Sequence, residues 1–310
     1  YLLTFAVSWG AARILISYGP KDKPNSGHKI QKKPMPTSGG IAVAIAVVLA
    51  SAGLMLFQPG WISTTLVAVF FGSFCMFLMG VWDDVANLPA IPKLLVQVVL
   101  SLGVAFFGAR VEFLDLGRQY FELGAVFGIL GSAAWLVVVT NAVNFMDGSD
   151  GLATGCSAFI AAGLAFLAAL TGQWDIAALA GIFCAGLLGL LVWNGRGKLF
   201  AGDAGALFFG FFLGCLSLIL VARLEASVWI APCLFIAFLA DVLLTLIWRF
   251  RNGRSLLQPH REHVYQLLIS MDRSQVLVAW IYVWISMHGL LVAGVSLVFP
   301  RGGAMLGFIL

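Results

Sequence analysis

Charge is what this chain has least of. Only 10% of its 310 residues are Asp, Glu, Lys or Arg, while 61% are hydrophobic; a soluble domain carries about 25% charged residues. That scarcity excludes a water-soluble globule. No polar stretch is long enough to fold separately, so residues 1–310 read as a single polytopic domain. Cysteine is also sparse: Cys75, Cys156, Cys184, Cys215 and Cys233 are scattered through apolar runs without paired spacing, which excludes a disulfide framework and a thiolate metal site. The formal charge of +4 matters for its distribution rather than its sum, and no nucleic-acid partner is expected.

What the chain has instead is a succession of apolar runs. A hydrocarbon core about 30 Å thick is crossed by about 20 apolar residues in a helix. Such runs fall near residues 1–18, 39–58, 61–81, 91–109, 125–143, 153–171, 177–193, 204–222, 228–248 and 276–299. The expectation is an all-α integral membrane protein of about ten helices lying in the lipid bilayer, with the apolar tail at 304–310 able to open an eleventh. The first run reads as a span rather than a signal peptide, because further spans follow it.

Lysine and arginine orient the bundle, since loops rich in them stay in the cytoplasm. One set of alternate loops holds Lys21, Lys23, Lys29, Lys32, Lys33, Lys93, Arg196, Lys198, Arg249, Arg251, Arg254, Arg261 and Arg273. The other holds only Arg110, Arg118, Arg223 and Arg301. The N-terminus is therefore expected outside, and loops 19–38, 83–92, 144–152, 194–203 and 249–275 inside. The outer loop 110–124 alternates apolar and polar residues as a hairpin does. Almost every chemically capable residue lies on the inner face, which favours an enzyme over a conduit.

The richest stretch is NAVNFMDGSDGLATG, Asn141 to Gly155. An ionisable group costs roughly 2.5–3.5 kcal/mol at the centre of a membrane helix, so acids beside a span point to function. Asn144, Asp147 and Asp150 are spaced by threes, as on one side of a helix; a helix cap explains either aspartate singly but not all three. Asp83 and Asp84 end a span in GVWDDVANLP. Adjacent helical residues point about 100° apart, so both face one cavity only where the helix ends. Asp203 sits in FAGDAG, after Phe200, which either anchors the span or stacks on a base. In QPHREHVYQ, His260 and His263 flank Arg261; two ligands are too few for zinc, and phosphate binding fits better beside Arg249, Arg251 and Arg254. Thr37 and Ser38 precede a glycine pair that suits an anion nest. Five acids from three loops repel one another unless a cation joins them, and an all-oxygen set selects a hard ion such as Mg²⁺, which normally arrives with phosphate.

These motifs, in this order, resemble the polyprenyl-phosphate N-acetylhexosamine-1-phosphate transferase superfamily: PTSGG after a lysine loop, then DD, NFMDGSDG, FAGDAG and PHREHVYQ. The resemblance implies transfer of a sugar 1-phosphate from a UDP-N-acetylhexosamine to a polyprenyl phosphate such as undecaprenyl phosphate. UMP is released, Mg²⁺ or alternatively Mn²⁺ assists, and the reaction sits on the cytoplasmic face of the bacterial plasma (inner) membrane. H-R-x-H-x-Y-Q, with Asp241, Thr245 and Arg249, is similar to the initiating transferases of O-antigen and related polysaccharides. Phospho-N-acetylmuramoyl-pentapeptide transferases carry three consecutive histidines there. Ala206 and Asn87 depart from the usual serine and acid.

By the same resemblance Asp203 is the main metal ligand and Asp84 a second. Asp83 orients or deprotonates the lipid phosphate, so that Asp83 and Asp84 form the catalytic pair. Asn144, Asp147, Asp150 and Phe200 hold the nucleotide. His260, Arg261, His263, Lys93, Thr37 and one of Lys32 or Lys33 clamp phosphates. A homodimer is compatible with all of this. Two rivals are weaker: an ion-coupled transporter requires mid-membrane acids and a repeat, and a CDP-alcohol phosphatidyltransferase requires D-G-x-x-A-R, whereas Asp147 and Gly148 are followed by SDGLATG.

Overall fold

A helix enclosed by other helices needs small residues where its neighbours cross it, and GDAGALFFGFFLG at 202–214 supplies them. The computed structural model describes residues 1–19, 21–22, 35–115, 120–255, 258 and 260–298. Its helices are α1 (Leu2–Tyr18), α2 (Gly39–Phe57), α3 (Thr64–Ala86), α4 (Ala90–Phe106), α5 (Gly124–Met146), α6 (Leu152–Leu170), α7 (Trp174–Asn194), α8 (Gly202–Leu224), α9 (Ile230–Leu234), α10 (Ile236–Arg251), α11 (Val264–Ser270) and α12 (Gln275–Val298). Two antiparallel pairs complete it: β1 (Lys21–Asp22) with β2 (Met35–Pro36), and β3 (Phe113–Asp115) with β4 (Tyr120–Glu122). The second pair is the hairpin expected in loop 110–124.

Seven helices, α2, α3, α5, α6, α7, α8 and α12, are long and apolar enough to cross a membrane. The protein is thus an all-α, multi-pass membrane protein, but length and composition do not reach the expected ten. The helices α1 and α4 have 17 residues each. The span expected at 228–248 is broken, with α9 ending at Leu234 and α10 starting at Ile236. Gly289 of α12 packs on that break; a Cβ there would lie 1.9 Å from the Cys233 carbonyl oxygen. The tail 304–310 lies outside the described residues.

The central helix α8 is buried along its apolar window, and glycines set how closely the others approach it. A Cβ on Gly80 of α3 would lie 2.4 Å from Ala204 Cα, one on Gly40 of α2 would lie 2.2 Å from the Gly205 nitrogen, and one on Gly210 would lie 2.7 Å from Thr140 Cα of α5. The first two contacts fall at the N-terminal end of α8, so they bring the C-terminus of α3 and the N-terminus of α2 onto Asp203. Rings fill the space beyond: Phe183 of α7 stacks on Phe212 with centroids 4.8 Å apart.

Forcing a side chain into a packed crossing costs about 1–3 kcal/mol. Gly80→Val should therefore lower the thermal midpoint of the detergent-solubilised protein and reduce its folded yield. Gly53→Ala, where nothing lies within 4 Å, should leave both unchanged. Size-exclusion chromatography after a heating series reads the difference.

Candidate active site

The end of α3 meets the start of α8 through hydrogen bonds that join acids to backbone. The first turn of a helix has N–H groups without internal partners, and carboxylates satisfy them. Asp84 accepts from the Asp203 N–H at 2.9 Å and the Ala204 N–H at 3.1 Å, while Asp147 accepts from the Gly202 N–H at 2.8 Å. Gly202 takes φ +75° with no room for a Cβ, which would lie 2.0 Å from the Thr37 carbonyl oxygen. Backbone bonds from Gly39 to Phe200, from Gly40 to Ala201 and from Phe200 to Pro36 sew the entry of α2 to the same segment. Thr37 is thereby fixed beside the first turn of α8.

Asp83 and Asp84 diverge, as neighbours on a helix must. Asp83 is buried, accepts from the Leu88 N–H at 2.8 Å and forms an ion pair with Lys93 of α4. The Asp203 carboxylate lies close to Asp83, Asn144 and Lys93. Four acids, one lysine and one asparagine thus form a single cluster. Burial pushes the Asp147 carboxyl well above its usual range, and the negative charges of Asp203 and Asp84 push it further. Asn87 closes α3 at φ +50°; asparagine tolerates that left-handed conformation better than most residues.

The spacing by threes does not lie along one helix. Only Asn144 is helical, because α5 ends at Met146 and Asp147 caps it. The turn that follows separates the two aspartates. Asp147 turns to α8, while Asp150 faces Gly197 and gives its own N–H to Gln275 Oε1 at 2.7 Å. Ser149 Oγ donates to the same oxygen at 3.1 Å. Asn194 braces the loop by accepting from the Gly151 N–H at 3.0 Å and donating to the Leu199 carbonyl at 2.9 Å. Asp150, Phe200 and Arg261 then converge on a cavity of about 750 Å³ bordered by Gly148, Gly197, Arg273 and Gln275. It adjoins the acid cluster through Gly148.

The histidine segment is built differently from the expectation that upstream arginines assist it. Arg249 is buried and pairs with Glu262, and Arg254 pairs with the same acid and lies over Trp248. Both are therefore engaged within the protein, whereas Arg251 is exposed and Arg261 and Arg273 stand exposed at the cavity. His263 is buried against Asp241, with Nδ1 3.1 Å from Oδ1. The His260 ring lies beside it, tilted by 31° with centroids 4.9 Å apart. Burial, then His263 and Arg249, push the His260 imidazole down to about 4. The Tyr265 hydroxyl donates to the Phe145 carbonyl at 3.1 Å, docking α11 on the end of α5.

The structure thus brings together Asp83, Asp84, Lys93, Asn144, Asp147 and Asp203, and beside them Asp150, Phe200 and Arg261. Lys32 and Lys33 lie outside the described residues. Asn194, Glu262 and Gln275 were not singled out from sequence; each acts on backbone or on an ion pair, which spacing does not reveal. Among the described residues no three His, Cys, Asp or Glu side chains are arranged to hold a metal unaided. Mg²⁺ takes one or two carboxylates and completes its shell with water and substrate phosphate. The oxygen-only donors and the crowding around Asp147 and Asp203 fit such an ion.

Removing one member of a buried ion pair typically costs about 3–5 kcal/mol. Lys93→Met should lower the thermal midpoint sharply, and adding Asp83→Asn should recover much of that loss. Thermal unfolding of the single and double variants checks this; equal midpoints for wild type and Lys93→Met contradict it.

The family model for glycosyl transferase family 4 matches residues 66–221, the stretch that carries every acid of the cluster. The chain is 31% identical over 267 residues to a probable undecaprenyl-phosphate N-acetylglucosaminyl 1-phosphate transferase of Bacillus subtilis strain 168, covering 84% of this chain and 73% of that protein. It is 29% identical to a decaprenyl-phosphate N-acetylglucosaminephosphotransferase of Mycolicibacterium smegmatis, over 91% and 76% of the two chains. A phospho-N-acetylmuramoyl-pentapeptide-transferase of Lactobacillus gasseri is 32% identical over 61% of this chain and 63% of its own length. The chain belongs to glycosyl transferase family 4 and, within it, to the polyprenyl-phosphate N-acetylhexosamine-1-phosphate transferase superfamily, whose members are sugar-phosphate transferases.

Proposed function

We propose that the protein transfers an N-acetylhexosamine 1-phosphate from a UDP-sugar to a polyprenyl phosphate, releasing UMP and starting a lipid-linked surface polysaccharide of the O-antigen kind. The observation that carries this is the acid cluster with Lys93 opening beside a cavity lined by Asp150, Phe200 and Arg261. N-acetylglucosamine is the favoured sugar. Relatives named for it match 84% and 91% of the chain, the Lactobacillus relative named for the muramoyl-pentapeptide matches 61%, and the three-histidine run is absent.

In this reading the chain works as one unit with ten crossings, α9 and α10 sharing one of them, and the site faces the cytoplasm of a bacterial inner membrane. The excess of lysine and arginine on that face supports the orientation. A polyprenyl chain stays in hydrocarbon while its phosphate meets a soluble nucleotide, so the reaction belongs at the interface.

Asp203, assisted by Asn144, would hold Mg²⁺, which supplies Lewis-acid stabilisation of charge on the diphosphate. Asp84, with both oxygens on α8 amides, keeps Asp203 in place. Asp83 and Lys93 orient the acceptor phosphate, Asp83 taking its proton if it arrives protonated. An oxygen of that phosphate attacks the phosphorus bearing the sugar, the bond from that phosphorus to the bridging oxygen breaks, and UMP departs. Phe200, at the cavity, stacks on the uracil ring in this reading, while Asp150 bonds the nucleoside and Arg261 a phosphate. Phosphoryl transfer asks mostly for such positioning and electrostatics.

Loss of an electrostatic group of this kind costs about 10²–10³ in rate. Purified Asp203→Asn and Asp83→Asn should therefore release UMP from UDP-N-acetylglucosamine and polyprenyl phosphate at least about 100-fold more slowly than wild type. Activity near wild type in both would sink the assignment. Running the galacto epimer, 6-deoxy sugars and the UDP-muramoyl-pentapeptide in parallel should show UDP-N-acetylglucosamine turned over fastest.

A further inference from the structure

Asp241 is an acid within α10, outside the cluster, and it is nearly inaccessible, at 3% exposure. A buried carboxylate in a helix bundle is unfavourable unless its oxygens are hydrogen-bonded, and these are fully engaged. Oδ1 lies 2.9 Å from the Val264 N–H, 3.1 Å from His263 Nδ1 and 3.2 Å from the Thr245 hydroxyl. Oδ2 accepts from the Tyr265 N–H at 3.1 Å and the Tyr282 hydroxyl at 2.5 Å. Those donors come from α10, from the start of α11 and from α12. Asp241 therefore ties three elements to one point, and that point is the back of His263.

We propose that Asp241 is a positioning residue for the reaction and acts through His263. Two features separate this from a plain helix cap. A cap needs only the backbone N–H groups of Val264 and Tyr265; the contact to Nδ1 is additional, and it fixes the orientation of the His263 ring. The ring is also held from its faces, by Phe145 with centroids 5.6 Å apart and by Tyr265 at 6.1 Å. Phe145 lies two residues before Asp147, and Tyr265 bonds its carbonyl. The orientation of His263 and the placement of the Asp147 loop are thus set by one connected group of contacts, with Asp241 at its root.

This inference rests on the proposed phosphoryl transfer, and its test separates the two. UMP release would be measured for wild type, Asp241→Asn, His263→Gln and the double variant, each normalised to protein recovered as a monodisperse folded species. Small misplacements of reacting groups cost up to about 100-fold. Each single variant is expected to lose on the order of 10- to 100-fold in kcat, and the double variant to be no slower than His263→Gln, because residues that act as a unit are non-additive. Losses that multiply in the double variant, or a His263→Gln protein as fast as wild type, overturn the inference while leaving the transferase reading intact. No UMP release by wild type overturns that reading itself. Should Asp241→Asn not accumulate, Asp241→Glu enters the same cycle, keeping the charge but moving it by one methylene, and the same two outcomes decide.

Discussion

Gathering negative charge at a membrane face is the constraint from which the rest of this structure follows. Asp83, Asp84, Asp147 and Asp203 stand together at helix ends whose bodies are apolar, where each unpaired carboxylate is disfavoured by burial and by its neighbours. The protein answers with the partners available there. Amides of the first turn of α8 take Asp84 and Asp147, Lys93 takes Asp83, and Asn144 reaches Asp203. The glycine crossings at Gly40 and Gly80 exist for the same purpose, because any side chain at either position would separate the helices that deliver these groups. What remains uncompensated is an excess of negative charge, and the divalent cation of the proposed reaction would match it in sign and in ligand preference.

Much of this was legible in the sequence, for identifiable reasons. Acids beside apolar runs stand out because hydrocarbon tolerates them poorly, so the members of the cluster were identifiable one by one. Helix spacing, however, misled at Asn144, Asp147 and Asp150. A period of three describes a helix only while the helix lasts, and Gly148 and Gly151 allow the chain to turn, so two aspartates face different sites. The arginines at 249 and 254 looked available for phosphate because their common partner, Glu262, is one of only two acids in a basic loop. Asp241 could be noticed as an acid in a span, but its five donors come from residues up to 41 positions away, and no local pattern records them.

The span at 228–248 shows a further limit. Its composition is apolar throughout, yet the helix breaks after Leu234, where the carbonyl of Cys233 meets Gly289. Close approach of two backbones is a tertiary property, and hydropathy is blind to it. The break sets the start of α10, which carries Asp241 and Arg249, so a feature invisible to the periodicity helps to place the histidine segment over the site.

The central claim is that this cluster, organised about Asp203, receives a divalent cation together with a nucleotide diphosphate. Electron paramagnetic resonance of Mn²⁺ tests it most directly. Titrating Mn²⁺ into the detergent-solubilised protein with UDP-N-acetylglucosamine should show a saturable bound signal that requires the nucleotide and is lost in Asp203→Asn. Equal binding by wild type and Asp203→Asn would contradict the account.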